Sequence, residues 1–317
     1  MPTNPAERDD SGPSISVVIP CSNAAPFLRA TIESILGQTQ PVLEVIVVDD
    51  GSTDDSARIA ESFGPPVRVI RQPNQGESAA RNRGIEAAAG EWVAFLDADD
   101  LWLPTKVELQ AEAIRSAPAD VVCVTGDFLL FGEGEEERRC SPPARYDAPH
   151  PLREMLVGFT VHIDCAVVRR AAALRTPFPE SIHHAEDVIF FVLLRSQGRF
   201  LRIPEPLARY RRHGPQQSQE PGHMLRTATS RLAWFLANRA LFADGDEAVI
   251  RTTLVTRHLV DHEQAIRDGD ATRAAEIAAG LVELAGPMRQ LLPATLAPPR
   301  QRWWLWIKCR PDRTRRA

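Results

Sequence analysis

Four short apolar runs that stop at proline or a polar end, each spaced from the next by a helical segment, constrain this chain more than any other feature. "SISVVIP" (14–20), "LEVIVVDD" (43–50), "VRVIRQ" (67–72) and "EWVAFLDA" (91–98) are rich in β-branched and aromatic residues. Runs of this length and composition read as strands buried on both faces of a sheet. Between the first two, "PFLRATIESILGQT" puts Phe27, Leu28, Ile32, Ile35 and Leu36 on one helical face. A Gly-Ser-Thr-Asp turn at 51–54 leads into a second helix, "GESAARNRGIEAAAG" reads as a third that Gly90 ends, and Pro104 opens a fourth. Strand and helix alternate, which predicts an α/β fold: a mostly parallel, Rossmann-like sheet flanked by helices.

Past residue 118 the rhythm loosens. "DVVCVTGDFLLF" (120–131) reads as one strand followed by a second at an edge, and the Gly-, Pro- and charge-rich stretch 132–151 reads as a surface excursion. A helix is expected over Asp187–Arg195, and "FLRIPEPLARYRRHG" (200–214) is expected to form a last strand and a basic loop. From Pro221 on, the chain is rich in Ala, Leu and Arg at helical spacing. The division is therefore a flexible N-terminus (1–13), an α/β domain (14–220) and a helical C-terminal region with a basic, Trp-rich tail (221–317).

The bulk numbers exclude several classes. A formal net charge of -5 over 317 residues gives no reason to expect a nucleic-acid partner. The five cysteines form no C-x-x-C, which argues against a zinc site or a disulfide scaffold and points to the cytoplasm. The first eleven residues lack the pattern of a signal peptide, and no run approaches the 18 apolar residues of a membrane span.

Chemistry is expected where the strands end, since loops and helix N-termini converge there in open α/β sheets. Asp49 and Asp50 close one strand, and Asp97, Asp99 and Asp100 close another. Carboxylates this crowded repel one another. A divalent cation removes that repulsion and accepts phosphate oxygens, and an all-oxygen ligand set favours Mg2+ or Mn2+. Asp97 and Asp99 share one alternation phase. Asp100 has the other and stands at the mouth of the next helix, where an aspartate serves as an N-cap. Neither G-x-G-x-x-G after the first strand nor G-x-x-x-x-G-K-[ST] occurs, which disfavours a nicotinamide enzyme and a P-loop kinase.

The segments "VVIPCSNAAPFLRATIESILGQT", "EVIVVDDGSTDDS", "NQGESAARNRGIEAAAGEWVAFLDADDLWLP", "AEDVIFFVLLRSQG" and "ARYRRHG" together resemble family 2 glycosyltransferases of the GT-A fold, over roughly residues 14 to 218. The resemblance implies transfer of a sugar, with inversion, from a nucleotide diphosphate (UDP above all) to a hydroxyl of a glycan or lipid-linked glycan, with Mn2+ or Mg2+. It assigns Asp50 to the nucleotide base, with Pro20 and Asn23 in the loop beneath it and Asp49 in support. Arg81 would face the nucleotide. Asp97 and Asp99 match the family's Asp-any-Asp pair, Asp99 as the direct metal ligand, and His213 falls near the metal and diphosphate. Asp187 matches the general base, with Glu186, His184 and Arg212 on the acceptor or diphosphate side.

Two features depart from the pattern or lie outside it. Ser22 stands where the family usually has a tyrosine able to stack on the base, which removes about 1 to 3 kcal/mol of stacking. In "RQRWWLWIKCRPDRTRR", tryptophans sit between arginines, a composition suited to peripheral contact at the inner face of a membrane, to internal packing or to an oligomer interface. Residues alone also leave open a nucleotidyltransferase on a related sheet and a noncatalytic sugar-nucleotide or glycan-binding protein, and they leave the oligomeric state undecided.

Overall fold

The computed structural model describes residues 12–132, 136–143, 145–158, 161–214 and 223–285. The Trp-rich tail, most of the N-terminal segment and the 220/221 division lie outside the described residues.

The first four strands, β1 (Ile15–Cys21), β2 (Glu44–Asp50), β3 (Val67–Gln72) and β4 (Trp92–Phe95), pair in the order β3-β2-β1-β4, all parallel. Helices α1 (Ala25–Leu36), α2 (Ser56–Glu61) and α3 (Glu77–Ala87) make the crossovers. Because successive side chains in a strand point to opposite faces, β1 feeds two cores. Val17 and Ile19 join Leu28, Ile32 and Ile35 of α1, whereas Val18 joins Ala80 and Ile85 of α3. That second contact needs Gly84: a Cβ there would come within 2.8 Å of Val18 Cγ2. Gly90 does not end α3, whose C-cap is Ala88. It is small because β1 passes so close that a Cβ would stand 2.7 Å from Ser16 N.

The remainder of the sheet is mixed. After β5 (Leu101–Trp102) and α4 (Lys106–Ser116) come β6 (Val121–Gly132), β7 (Arg138–Cys140), α5 (Pro151–Val157), β8 (Val167–Arg169), α6 (Arg170–Arg175), α7 (Glu186–Arg195) and β9 (Arg199–Arg212). The order continues β4-β8-β6-β9-β5, with β8 antiparallel to β4 and β6, β9 parallel to β6 and β5 antiparallel to β9. The expected strand pair at 120–131 is one strand, β6, and it lies inside the sheet between β8 and β9. Its "TGD" interruption is an irregularity in register against β9 between Thr125 and Phe128. Asp127 there is buried and satisfied by Arg139, Arg202 and Ser141. Nor is 132–151 only a surface excursion, since β7 pairs with β6 and both Cys140 and Tyr146 are buried.

Helices α8 (His223–Ala237), α9 (Asp246–Arg267) and α10 (Ala271–Ala285) follow. Leu232, Phe235, Ile250 and Leu254 belong to one continuous apolar cluster with Leu156, Phe190 and Phe191. Helices α8 and α9 thus pack against α5. Among the described residues no helix is long and apolar enough to cross a membrane.

Candidate functional site

β1, β2 and β4 are parallel neighbours, so their carboxyl ends open on one edge of the sheet. Pro20 is buried in β1 opposite Val48. Asn23 adopts a left-handed conformation (φ 52°), which asparagine tolerates. Its Oδ1 accepts from Thr53 N at 2.9 Å, and its own N–H donates to Ser52 Oγ at 3.0 Å. The loops after β1 and β2 are thereby tied together, with Ser22 exposed at their rim.

Asp49 and Asp50 are both buried. Asp49 accepts from Ser52 N at 3.3 Å. Asp50 accepts from Gln72 Nε2, Gln75 N and Gly76 N, each at 2.8 Å, and so moulds the loop that starts α3.

Arg81 is the hub of the cleft. It is 2% exposed, and its Nη2 lies 2.8 Å from Asp97 Oδ1 and 3.2 Å from Glu77 Oε2, while Nη1 lies 3.6 Å from Glu186 Oε1. Burial works against its charge, but Asp97, Glu77 and Glu186 together hold it more firmly protonated than an ordinary arginine. Nε and Nη1 make no hydrogen bond among the described residues, and neither does the buried Ser78 Oγ one turn earlier. Buried donors are normally satisfied, so these point to a polar group that completes the site.

Asp99 pairs with His213, Oδ2 to Nε2, at 2.9 Å. Phe27 backs the imidazole at 4.5 Å between ring centroids. The Arg211 side chain donates to Asp99 O at 2.7 Å, and its backbone N–H donates to Asp100 Oδ1 at 2.6 Å. These contacts bring the end of β9 onto the turn after β4. Arg212, the next residue, pairs with Gly132 across the β6–β9 ladder.

Asp100 is not an N-cap. The N-cap position of α4 belongs to Thr105, and Asp100 is fully buried beside an aspartate that the sequence reading did not single out, Asp164. Oxygens of Asp97, Asp100 and Asp164 lie within 4.8 Å of one another. Asp164 Oδ1 accepts from Asp97 N at 2.9 Å, and its Oδ2 lies 3.3 Å from His162 Nδ1. Burial, then Asp164, raises the Asp100 carboxyl far above the usual range; burial, then Asp97, raises Asp164. Asp164 was legible only as a single acid inside the apolar run "VHIDCAVV".

On the far side of Arg81, α7 starts from Ala185, an alanine in the left-handed region (φ 75°). Holding a non-glycine residue there costs roughly 1–2 kcal/mol, and it turns Glu186 and Asp187 into the cleft mouth. Burial, reinforced by Asp187, pushes the Glu186 carboxyl up to about 8. Asp187 is half-buried and accepts from Val188 N at 2.7 Å. His184 accepts from Arg226 Nε of α8 at 3.1 Å.

The donor set suits a hard divalent cation. Asp97 and Asp99 are each about 30% exposed on their side chains, His213 adds a borderline nitrogen, and Asp100 and Asp164 bring further carboxylate oxygens within 4.8 Å of Asp97.

The model of the family described as glycosyl transferase family 2 matches residues 16–175. Among curated relatives, the uncharacterized glycosyltransferase YibD of Escherichia coli is 43% identical over 124 residues, which is 38% of this chain and 36% of that protein. The putative glycosyltransferase EpsH of Bacillus subtilis is 39% identical over 211 residues, 63% of this chain and 61% of that one. The chain thus spans between about a third and three fifths of these relatives. Among solved structures, S. aureus TarS 1-349 in complex with UDP-GlcNAc superposes with a TM-score of 0.64 at 21% identity, over 89% of this chain and 83% of that one. The mannosyltransferase PcManGT from Pyrobaculum calidifontis, in complex with GDP-Man and Mn2+, gives 0.51 at 22%, over 90% and 85%. At such identities the likeness is one of fold.

Proposed function

The chain belongs to glycosyl transferase family 2, and on that premise we propose that it moves a sugar, with inversion, from a nucleotide diphosphate donor, UDP foremost, to a hydroxyl of a glycan or lipid-linked glycan. The observation that carries the proposal is Arg81, a buried cation with Asp97 on one side and Glu186, next to Asp187, on the other. It separates two acidic walls whose tasks differ.

The first wall, Asp97 and Asp99 with His213, would hold Mn2+ or Mg2+. When bound, the cation offsets charge that develops on a departing diphosphate. Pro20, Asn23, Asp49 and Asp50 shape the floor for the nucleotide, and the spare N–H groups of Arg81 are placed to donate to an anionic oxygen in the cleft. With Ser22 in place of an aromatic residue, base recognition rests on the Asp50 region.

On the second wall, Asp187 takes the proton of the acceptor hydroxyl as the new glycosidic bond forms. Base and leaving group on opposite sides of the reacting carbon give a single displacement with inversion. Glu186, whose carboxyl burial and Asp187 push up to about 8, stands between the base and Arg81.

A cytoplasmic location, with peripheral membrane contact through 300–317, fits a lipid-linked acceptor. Calorimetric titration of UDP, GDP, CDP and dTDP, with and without Mn2+, against wild type and Asp99→Ala tests the reading. Binding of one nucleotide that needs metal and is lost in the variant supports it. No binding of any nucleotide to a folded protein overturns it.

A further inference from the structure

Asn82, next to Arg81 on α3, directs its buried side chain at a loop almost a hundred residues away. Its Oδ1 accepts from Phe178 N at 2.8 Å, and its Nδ2 donates to Phe178 O at 3.0 Å and to Glu180 Oε1 at 3.0 Å. Phe178 stands between Pro177 and Pro179, neither of which has an N–H, so no regular ladder can hold this stretch. A side-chain amide carries an acceptor and a donor on one terminal group, which neither a carboxylate nor an alkyl group does. Asn82 therefore takes both backbone groups of Phe178 at once.

The residue held in this way touches three elements that carry the site. The Phe178 ring stacks on Phe190 of α7, with centroids 3.8 Å and planes 6° apart, and meets Phe95 of β4 edge-on at 5.5 Å. The Arg81 guanidinium lies over the same ring, 5.5 Å from its centroid. Phe95 comes two residues before Asp97, and Phe190 comes three after Asp187, on the same side of α7. Phe178 is thus a buried wedge between the two acidic walls. Its loop ends at Ala185, whose left-handed conformation persists only where the surroundings over-determine it. The clamp on Phe178 fixes the loop before that residue, and Phe190 fixes the helix after it. Satisfying two backbone groups accounts for the hydrogen bonds, but not for a wedge placed against Arg81, β4 and α7 together.

We propose that Asn82 is a positioning residue for sugar transfer: by clamping Phe178 it sets where α7 stands against α3, and so where Asp187 stands relative to a donor held beside Arg81. The proposal rests on the transferase reading, which supplies Asp187 as the base. Asn82 acts through Phe178 and Phe190 and touches no reacting group. A misplacement of about 1 Å is enough to cost about 10²-fold in rate. The floor for the nucleotide is built from the loops after β1 and β2, tied by Asn23 to Ser52 and Thr53, which the clamp does not reach. Loss of the clamp is therefore expected in turnover and not in nucleotide affinity.

The test uses the full chain with Mn2+ and a panel of donors: UDP-glucose, UDP-N-acetylglucosamine, GDP-mannose, CDP-glucose and dTDP-glucose. Water stands in for the acceptor. Its oxygen attacks the anomeric carbon, Asp187 takes its proton, the bond from that carbon to the diphosphate oxygen breaks, and the released nucleoside diphosphate is counted. On the donor that wild type hydrolyses fastest, Asn82→Ala is expected to lower kcat by about 10- to 100-fold, with donor KM and the calorimetric Kd of the nucleotide within about twofold. Asn82→Asp keeps the bond from Phe178 N and loses the two donated bonds, whereas Phe178→Leu keeps the bonds and loses the stack. Both are expected to lower kcat without weakening the nucleotide, with thermal melts reporting folding. In an Asp187→Asn background, Asn82→Ala is expected to cost little more, since the group it positions is already gone. A residue that only stabilises the fold would cost the same in both backgrounds. Unchanged kcat in the folded variants, an equal loss with and without Asp187, or a loss of nucleotide affinity that matches the loss of kcat overturns the proposal. Wild type that hydrolyses a donor, with folded variants that do so equally well, removes the role of Asn82 alone. Wild type that hydrolyses no donor of the panel removes the transferase reading, and the proposal falls with it.

Discussion

His213 Nε2 lies 2.9 Å from Asp99 Oδ2 across 114 residues of chain, with the Phe27 ring behind the imidazole. The contact closes the cleft between the turn after β4 and the end of β9. His213→Ala is expected to weaken Mn2+-dependent UDP binding by about 10- to 100-fold, the range seen when a partner of a metal-ligating group is removed. Calorimetry with and without Mn2+ checks it. Equal loss under both conditions would assign His213 to the nucleotide instead of the metal.

Arg81 links three carboxylates at a position that is 2% exposed. Arg81→Met removes the cation and leaves Asp97, Glu77 and Glu186 facing one another. Breaking a buried pair costs about 3–5 kcal/mol, and the partial exposure of Asp97 and Glu77 favours the low end. Urea unfolding measures the loss. A cost under about 1 kcal/mol, typical of surface pairs, would mean that the guanidinium is not the electrostatic hub described above.

The parallel half of the sheet was legible because its strands are continuous apolar runs with a side-chain period of two, and its helices begin at turn residues. The second half was not, because Gly126 and Asp127 interrupt β6 with a polar pair that looks like a strand end. Only the fold reveals that Arg139 and Arg202 neutralise that aspartate. The candidate site divides in the same way. Asp97 and Asp99 stood out by crowding, whereas Asp164 lies 67 residues from Asp97 and meets it only through the β4–β8 pairing.

Asp187→Asn retains shape and removes the proton acceptor. Sugar transfer is expected to fall by about 10²- to 10⁴-fold, the usual contribution of a general base, while UDP binding with Mn2+ persists. Product analysis at saturating donor, alongside calorimetry, separates the two effects. Undiminished transfer would move the base to another carboxylate.

Glu186 is raised from 4.5 to about 8, by burial first and then by Asp187. Between these values the folded state holds a proton that the unfolded chain has released, so stability falls as pH rises through the window and levels off above about 8. Glu186→Gln has no proton to lose and is expected to flatten that part of the profile. Thermal melts in EDTA from pH 4 to 9 report the slope, and identical slopes for wild type and variant would refute the assignment.

Gly84 ties packing to the site. α3 rests on β1 closely enough that a Cβ at 84 would overlap the Val18 side chain, and the same helix carries Arg81 one turn earlier. Gly84→Ala gains helix propensity of about 1 kcal/mol but forces the helix off the strand, and overpacking typically costs about 1–3 kcal/mol. A net loss is expected, together with weaker nucleotide binding as Arg81 shifts relative to Asp97. Val18→Ala opens the space that the new methyl needs. In a double-mutant cycle the pair is therefore expected to be more stable than the sum of the single changes, by about 0.5–3 kcal/mol, with binding partly restored. Additive losses in stability and binding would show that the helix-to-strand distance is not what holds Arg81 in place.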